Sequence, residues 1–411
     1  MPEPEPILEP DARARYADAV VQAGVAVRRS DVVVVHGQPK HRELLVALAE
    51  AAYRSGARHV ELDVDDPLVS ATRFRAGGKH AIGARTPWET ARARALIRDD
   101  DAIIHVAGEG EPGAYDGIDP RLLARDAAAV RKQLSFYVKA TLAGRVRWVI
   151  AGWPAEPWAA QVYPELDTLG AQRRLARDLL SFCRLGDEDG EGTSGWIAHV
   201  KALESRRRTL TRLKLTRLTL RGPGTELTIG VPSGALWLGG RERSASGRLF
   251  SPNMPTEEVF TSPHPAATAG TFRCSRPLEF RGRTIEGIAG EFRGGRLVRL
   301  EAARDGDRDL LSAFLDTDAN ARRLGEIALV DASSRIGRAG RTFFNTLLDE
   351  NAAAHIAFGA GFPNTREPGA RGVNRSVLHL DVMIGTDDFE VTGETARGRQ
   401  VPLIAGGLWQ L

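Results

Sequence analysis

Residues 31–64 read DVVVVHGQPKHRELLVALAEAAYRSGARHVELDV and contain two apolar, β-branched runs separated by a helical pattern. The runs DVVVVH and HVELDV have the length of strands, and between them apolar residues recur every three or four positions as far as Gly56. A glycine at this place is a suitable helix C-cap. A strand, a helix and a second strand in this order predict a βαβ unit with parallel strands.

The same alternation continues through DAIIHV at 101–106 and RVRWVI at 145–150, and it predicts a mostly parallel, helix-flanked sheet. The pattern changes after about residue 205, where short strands with glycine turns follow, as in LTLRGPGTELTIGVP at 218–232. Helical patterns return at 308–326 and 341–358, between strand-like runs. We therefore predict an α/β N-terminal domain of residues 1–204 and an α+β C-terminal domain of residues 205–411.

The length and composition of the chain exclude several classes of protein. A chain of 411 residues can form two cores, because single cores stop growing at about 250–300 residues. The 56 basic and 53 acidic residues nearly cancel, so no strong field is expected for nucleic acid or an anionic membrane. Cys183 and Cys274 are the only cysteines, which excludes a disulfide scaffold and a four-cysteine metal site. Without a signal-peptide pattern or a run long enough to span a membrane, we expect a cytoplasmic protein.

Polar residues with metal-binding side chains stand out in the last third of the chain. His379 and Asp381 flank Leu380 in the apolar run SVLHLDVMIG, and the two-residue period of a strand places both side chains on one face. Glu326 is expected where a helix meets the strand IALV. Glu350 and His355 are five residues apart, or about 140° on a helix, so a shared site requires the helix to end between them. With Glu258 in NMPTEEVFTSP, these six residues form the candidate set.

Taken singly, each of these residues is more often structural than catalytic, and only the set argues for metal. Four carboxylates and two imidazoles suit Zn, Co, Mn or Mg, and they exceed what one tetrahedral ion needs. Two divalent ions bridged by a carboxylate and a water are the usual arrangement for hydrolysis. The residues therefore predict a two-metal hydrolase.

The chain resembles the M29 metallopeptidase family from end to end. The resemblance is carried by YADAVVQAGVAVRRSDVVVVHG, GWPAEPWAAQVYP, NMPTEEVFTSP, DTDANARRLGEIALV, FFNTLLDENAAAHIAFG and HLDVMIG, in this order. It implies a dinuclear site whose ligands are Glu258, Glu326, Glu350, His355, His379 and Asp381, with Glu326 as a bridging ligand. It also implies an aminopeptidase that removes N-terminal residues from peptides with a free amine, and an active site enclosed in a homodimer. Glu258 is expected to relay the proton to the leaving amine.

One position departs from the family pattern. The family has a tyrosine shortly after the HIAFG motif that is thought to assist catalysis, and the corresponding residue here is Phe362. The missing hydroxyl could cost roughly 3 kcal/mol of transition-state stabilisation, or it could mark a changed substrate.

Three alternatives stay open at the level of the sequence. The first is another amide hydrolase on the same dinuclear core, which Phe362 would favour. The second is a ring-cleaving dioxygenase with a single iron, because the dihydroxypyridine dioxygenases resemble this fold; six retained ligand positions argue against it. The third is a non-catalytic metal-binding protein.

Overall fold

The computed structural model of the chain describes residues 5–108, 110–280, 283–370 and 372–411. Within these ranges lie thirteen α-helices: α1 Pro10–Ala19, α2 Arg42–Arg54, α3 Pro67–Ala76, α4 Gly78–Ala81, α5 Pro87–Asp99, α6 Pro120–Gln133, α7 Ser135–Leu142, α8 Glu156–Val162, α9 Thr168–Phe182, α10 Ser194–Leu213, α11 Asp305–Leu315, α12 Arg335–Arg338 and α13 Thr346–Asp349. A π-helical turn at Val20–Gly24 continues α1. Short 3₁₀ turns occur at Pro39–His41, Asp187–Asp189, Glu350–Ala352 and Pro363–Thr365.

The same ranges contain twenty-one strands. They are β1 Val32–Gly37, β2 His59–Val64, β3 Ala102–Ala107, β4 Arg147–Gly152, β5 Leu215–Gly222, β6 Thr225–Gly230, β7 Glu242–Arg243, β8 Leu249–Phe250, β9 Asn253–Met254, β10 Val259–Thr261, β11 Thr268–Arg273, β12 Leu278–Phe280, β13 Arg283–Ile285, β14 Ala289–Arg293, β15 Arg296–Glu301, β16 Leu324–Leu329, β17 His355–Gly359, β18 His379–Met383, β19 Glu390–Thr395, β20 Gln400–Ala405 and β21 Leu408–Trp409. None of the described helices combines the length and the apolar character needed to cross a membrane.

The chain forms two compact units. The first comprises Met1–Ala198 with Arg241–Pro255, and the second comprises His199–Gly240 with Thr256–Leu411. The division into domains at 1–204 and 205–411 stays a prediction. Residues 241–255 belong to the first unit because β9 pairs with β4, a long-range contact that leaves no local signal in the sequence.

The first unit is built on a sheet with the order β2-β1-β3-β4-β9, and every neighbouring pair in it is parallel. This confirms the predicted α/β class. Helix α2 ends at Arg54, just before Gly56, which adopts a φ of 92° that favours glycine. The predicted strand–helix–strand unit therefore has the bounds of β1, α2 and β2.

A buried arginine stabilises the first unit. The Arg147 side chain is 0% exposed, and its Nη2 lies 2.8 Å from Asp31 Oδ2. Its guanidinium also donates to the backbone carbonyls of Val25, Ala26 and Asp100. We expect Arg147→Met to lower the free energy of unfolding by about 3–5 kcal/mol, because these buried acceptors lose their donor.

Urea denaturation followed by circular dichroism measures this change. Arg145→Met is the matched control, since Arg145 is an exposed residue just before the same strand. A loss for Arg147→Met no larger than that of the control would show that the network contributes little to stability.

The second unit consists mainly of two antiparallel sheets. The larger has the order β15-β14-β11-β6-β5-β19-β20-β21, and the smaller has the order β10-β16-β17-β18. Phe358 of β17 packs against Phe272 of β11 and Phe292 of β14, with ring centres 5.9 and 5.7 Å apart. One face of the smaller sheet therefore contacts the core, and alternation along β17 places His355 and Ala357 on the other face.

The two helical segments predicted near the candidate residues are shorter than the pattern indicated. Helix α11 ends at Leu315, before the sequence DTDAN, whose aspartate and asparagine side chains favour turns. Glu326 consequently lies inside strand β16, and not at a helix end. The segment predicted as helical at 341–358 contains only α13 and a 3₁₀ turn before it continues as β17.

Candidate metal centre

The candidate residues meet on the free face of the four-stranded sheet. Register places Glu326 opposite Ala357 and Ala357 opposite Asp381, so these side chains share a face. His355 and Gly359 lie on the same face of β17, and Gly359 is opposite His379. Strands β16, β17 and β18 thus each contribute side chains to one place.

These side chains form two groups of three that share Glu326. Glu258, Glu326 and His355 each present one donor atom, and these atoms lie within 4.8 Å of one another. Glu326, His379 and Asp381 form a second group by the same measure. The shortest contacts are 3.4 Å from His355 Nε2 to Glu258 Oε2, and 3.2 Å from His379 Nε2 to both Glu326 Oε2 and Asp381 Oδ1.

A β-bulge positions Glu326 at the centre of the two groups. The pairing of β16 with β17 shifts between Leu324 and Glu326, and Gly325 occupies the shift. A Cβ on Gly325 would lie 2.1 Å from the carbonyl oxygen of Ala360, so only glycine fits. The bulge sets the direction of the neighbouring Glu326 side chain.

Backbone carbonyls orient both imidazoles. His355 Nδ1 lies 3.2 Å from the carbonyl oxygen of Ala353, and His379 Nδ1 lies 2.8 Å from that of Ala360. A carbonyl only accepts, so each Nδ1 carries a proton and each Nε2 faces the carboxylates. Metal-binding histidines are held in the same way.

The pKa values of the group reflect an excess of carboxylates over imidazoles. Burial raises the pKa of Glu326 to about 7, and the nearby Glu258 carboxylate adds to this rise. Burial, Asp381 and Glu258 also hold the pKa of Glu350 well above its usual range. Burial opposes protonation of His355, but the Glu258 carboxylate outweighs it and raises the pKa to about 10. Carboxylates this close to one another fit a site for divalent cations.

His379 and Asp381 influence each other in the same sense. Burial disfavours the charged form of His379, but the carboxylates of Asp381 and Glu326 raise its pKa well above the ordinary value. Burial likewise opposes ionisation of Asp381, and the charge of His379 overcomes this and lowers its pKa. The pair is therefore held in its ionic form by mutual attraction.

Glu350 and Phe362 complete the set of residues that the sequence singled out. Glu350 lies in the 3₁₀ turn after α13, and it lines a cavity together with His379 and Asp381. The chain ends its helical turn before His355, as a shared site requires. The ring of Phe362 lies 5.3 Å from that of His379 and 5.2 Å from that of Phe260. The structure thus brings all seven predicted residues to one region of the sheet.

The sequence profile of the thermophilic metalloprotease family M29 matches residues 11–409. The chain belongs to this family. It is 33% identical to aminopeptidase T of Thermus aquaticus over 402 residues, which cover 96% of this chain and 97% of that protein. It is 30% identical to aminopeptidase AmpS of Bacillus subtilis, with the same shares covered.

Solved structures agree with this assignment. Wild-type AmpT from Thermus thermophilus superposes with a TM-score of 0.89 at 32% identity, covering 98% of this chain and 99% of that one. A 2,5-dihydroxypyridine dioxygenase from Pseudomonas putida has a TM-score of 0.55 at 14% identity, with 99% of each chain covered. The second likeness shows a shared fold alone, so it does not favour the dioxygenase alternative for this M29 protein.

Two residues near the centre of this M29 protein were not predicted from the sequence. Asn351 is fully buried, and its Oδ1 accepts a hydrogen bond of 2.7 Å from the backbone N–H of Glu257. It thereby links the segment that carries Glu258 to the segment that carries Glu350. Glu279 of β12 lines the same cavity as Glu350. Asn351 lies in a 3₁₀ turn and Glu279 in a three-residue strand, and neither local pattern places the residue near the candidate ligands, so only the tertiary structure reveals them.

Proposed function

We propose that the protein is a metal-dependent aminopeptidase that hydrolyses N-terminal residues from peptides. The observation that carries the proposal is the pair of donor groups sharing Glu326, because two adjacent ions with one common carboxylate suit hydrolysis. Membership of a metalloprotease family supports the reaction class. The names of the aminopeptidase relatives support a substrate with a free N-terminus.

In this proposal, the six candidate ligands bind two ions. Glu258 and His355 would hold one divalent ion, His379 and Asp381 would hold the other, and Glu326 would bridge them. Glu350 would be the sixth ligand. Oxygen and nitrogen donors of this kind suit Zn, Co, Mn or Mg. When bound, such ions polarise a carbonyl and lower the pKa of water.

The protein's own groups would then move the proton. Glu258 is 7% exposed and immediately precedes edge strand β10, and its carboxylate lies beside His355. A buried carboxylate at the rim of the site is suited to transfer a proton to the leaving amine. We assign this role to Glu258, and we assign to Glu326 the role of holding both halves of the site together.

Chelation followed by reconstitution tests the proposal. The purified protein is stripped of metal and assayed on matched peptides with free and acetylated N-termini, with Zn, Co, Mn or Mg restored singly. We expect metal-dependent release of N-terminal residues that acetylation abolishes, with two ions bound per chain. Cleavage of acetylated peptides, or two bound ions without any cleavage, would contradict the aminopeptidase assignment.

Phe362→Tyr tests the departure from the family pattern. The ring of Phe362 packs against His379, so a hydroxyl added to it would enter the region of the metal centre. We expect kcat to rise by about a hundredfold, the effect of one oxyanion donor. Steady-state kinetics measure the change, and Phe314→Tyr, on α11, is the control for an added hydroxyl. An unchanged kcat would mean that this position does not decide activity.

We also propose a homodimer that uses the edge of the first sheet. Strand β2 is outermost, and its Leu62 and Val64 are 55% and 46% exposed. Tyr53 of α2 is also 52% exposed. An apolar face on a strand at the edge of the described sheet is suited to contact a second copy.

Light scattering after gel filtration tests the homodimer. We expect Leu62→Lys to raise the dimer dissociation constant by about thirtyfold or more, the effect of losing an interface hot spot. Val298→Lys, at an equally exposed valine of β15, is the control. A wild-type monomer, or equal effects of both variants, would contradict this interface.

The compartment proposed is the cytoplasm. The chain contains two cysteines, Cys183 and Cys274, which are too few for a disulfide-stabilised scaffold. Such a low cysteine content fits a protein kept in a reducing environment. Fractionation of cells of the source organism with an antibody against the protein would test this assignment.

A further inference from the structure

A cavity of about 700 Å³ lies at one end of the smaller sheet of the second unit. Its walls include the residues that follow β16, the residues that precede β17 and the residues that follow β18. Pockets that enclose a small ligand usually measure about 300–1,000 Å³. The cavity is therefore large enough to hold part of a peptide or another small molecule.

A loop with two glycines and two arginines, residues 337–341, forms a further wall of this cavity. A Cβ on Gly337 would lie 2.4 Å from the carbonyl oxygen of Ala352, so the loop packs directly against that backbone. The Arg276 guanidinium donates hydrogen bonds to the carbonyl oxygens of Arg341 and Gly337, at 2.9 and 3.1 Å. These contacts fix the loop that carries Arg338 beside the cavity.

The charged side chains of the lining are three arginines and two aspartates: Arg276, Arg338, Arg341, Asp331 and Asp387. The Asp331 carboxylate accepts hydrogen bonds from Ser333 Oγ at 2.7 Å and from the backbone N–H of Trp409 at 3.2 Å. Its charge also stabilises the cation of Arg206. Asp331 thus serves groups outside the lining, and positive charge predominates among the remaining side chains.

The surroundings of Arg276 agree with this excess of positive charge. Burial lowers the pKa of its guanidinium, and the charges of Asp349 and Asp387 offset only part of this effect. The carboxylates near Arg276 therefore do not fully compensate the burial of its cation. An oxyanion is the complement of such a cavity, and arginine pairs with a carboxylate or a phosphate through two parallel hydrogen bonds.

The cavity lies within the reach of a short peptide from the metal centre. Ala353 lines the cavity, has an extended backbone and precedes the proposed ligand His355 by two residues. Two residues of extended chain span about 7 Å. A peptide of two to four residues spans about 7–14 Å. A substrate whose N-terminal residue is at the metal centre is therefore long enough to place its C-terminus in the cavity.

We infer that this cavity binds the C-terminal carboxylate of a short peptide substrate, and that Arg338 is the residue that pairs with it. The inference rests on the proposed function and names its substrate class, which is peptides of two to four residues with a free C-terminus. Arg276 holds the loop by its bonds to backbone carbonyls, whereas the Arg338 side chain is exposed at the cavity. Arg338 is thus a substrate-binding residue, and Arg276 is a positioning residue.

Two substrates that differ only at the C-terminus test this inference on the metal-loaded enzyme. One is Leu-Gly-Gly, and the other is its C-terminal amide, which lacks the negative charge. We expect the wild type to favour the acid about tenfold in kcat/KM, and Arg338→Gln to lower this ratio to about one, mainly by raising KM for the acid. Arg338→Lys keeps the charge without the forked geometry, and it should retain part of the preference.

Arg397→Gln is the matched control, since Arg397 is an exposed arginine between β19 and β20 and does not line the cavity. It should leave the ratio of the two kcat/KM values unchanged. A wild type that cleaves the acid and the amide equally well would overturn the inference. An equal fall of the ratio in Arg338→Gln and in Arg397→Gln would also overturn it, because the effect would then be one of overall charge.

Binding measurements separate this inference from the proposed function. Titration calorimetry of the metal-free protein with Leu-Gly-Gly, with its amide and with inorganic phosphate requires no turnover. A preference for the acid that Arg338→Gln removes would support the inference even if the metal-loaded protein cleaves no peptide, and only the proposed function would then fail. Equal binding of acid and amide would overturn the inference. Phosphate binding that depends on Arg338, without a preference for the peptide acid, would overturn it in favour of a site for inorganic oxyanions.

Discussion

Glu326→Gln is expected to lower kcat by at least about a thousandfold, because the change removes the one carboxylate that both donor groups share. The substitution keeps the size of the side chain, and Glu326 is only 4% exposed, so the packing of β16 should be preserved. Metal content should fall from two ions per chain to one or none. Steady-state kinetics and elemental analysis of the same preparation measure both effects.

The metal-free form of this variant provides an independent check. Burial and the Glu258 carboxylate raise the pKa of Glu326 to about 7 in the folded protein, above its ordinary value of 4.5. The folded state therefore holds this proton more tightly, and the wild type loses stability as pH rises from 4.5 towards 7. Metal-free Glu326→Gln lacks this titration and should lose less stability over that range. If the variant keeps full activity with two ions bound, Glu326 is not the bridging ligand.

The fold of the first unit could be predicted from local patterns. Buried parallel strands appear as continuous β-branched runs, and β2 has the predicted bounds while β1, β3 and β4 begin one or two residues later. The order β2-β1-β3-β4-β9 could not be predicted in the same way. It depends on pairings between distant segments, and β9 is a two-residue strand, which is too short to show a strand pattern in the sequence.

The candidate site could be predicted from the residues only where their spacing along the chain determines the relative positions of their side chains. The two-residue period of a strand places His379 and Asp381 on one face, and the structure has their side chains 3.2 Å apart. The relation of Glu326 to Asp381 depends instead on the register of β16, β17 and β18, and on a bulge at Gly325. Registers between strands are set by packing, so the resemblance to the family supplied what spacing could not.

The helical prediction near the site was wrong because the local amino-acid composition favours a helix, whereas tertiary contacts favour another structure. The segment at 341–358 is rich in alanine and leucine, yet only Thr346–Asp349 forms an α-helical turn. Asp349 accepts hydrogen bonds from the backbone N–H groups of Phe343 and Asn345, and it fixes a loop there. Pairing of His355–Gly359 with β16 and β18 then stabilises a strand over a helix.

Glu258→Gln is expected to lower kcat by about a hundredfold to ten-thousandfold, because the change removes the proposed general acid and weakens one of the proposed metal ligands. Its neighbour offers a matched control, since Glu257 is 6% exposed and Glu258 is 7% exposed. Glu257 Oε2 lies 3.5 Å from His199 Nε2, whereas Glu258 Oε2 lies 3.4 Å from His355 Nε2. Each variant therefore removes a buried carboxylate that contacts a histidine, and of the two only Glu258 belongs to the described donor groups of the metal centre.

The comparison of these two variants separates chemistry from structure. Both should lose similar stability in urea denaturation, because the two carboxylates are almost equally buried. We expect Glu257→Gln to keep kcat within about threefold of the wild type, because this carboxylate lies outside the proposed reacting groups. Equal losses of kcat in both variants would mean that the segment containing Glu257 and Glu258 supports activity through its structure and not through the chemistry of Glu258. Full activity of Glu258→Gln would show that another group transfers the proton. Glu350, which lines the cavity beside the metal centre, would then be the next residue to substitute.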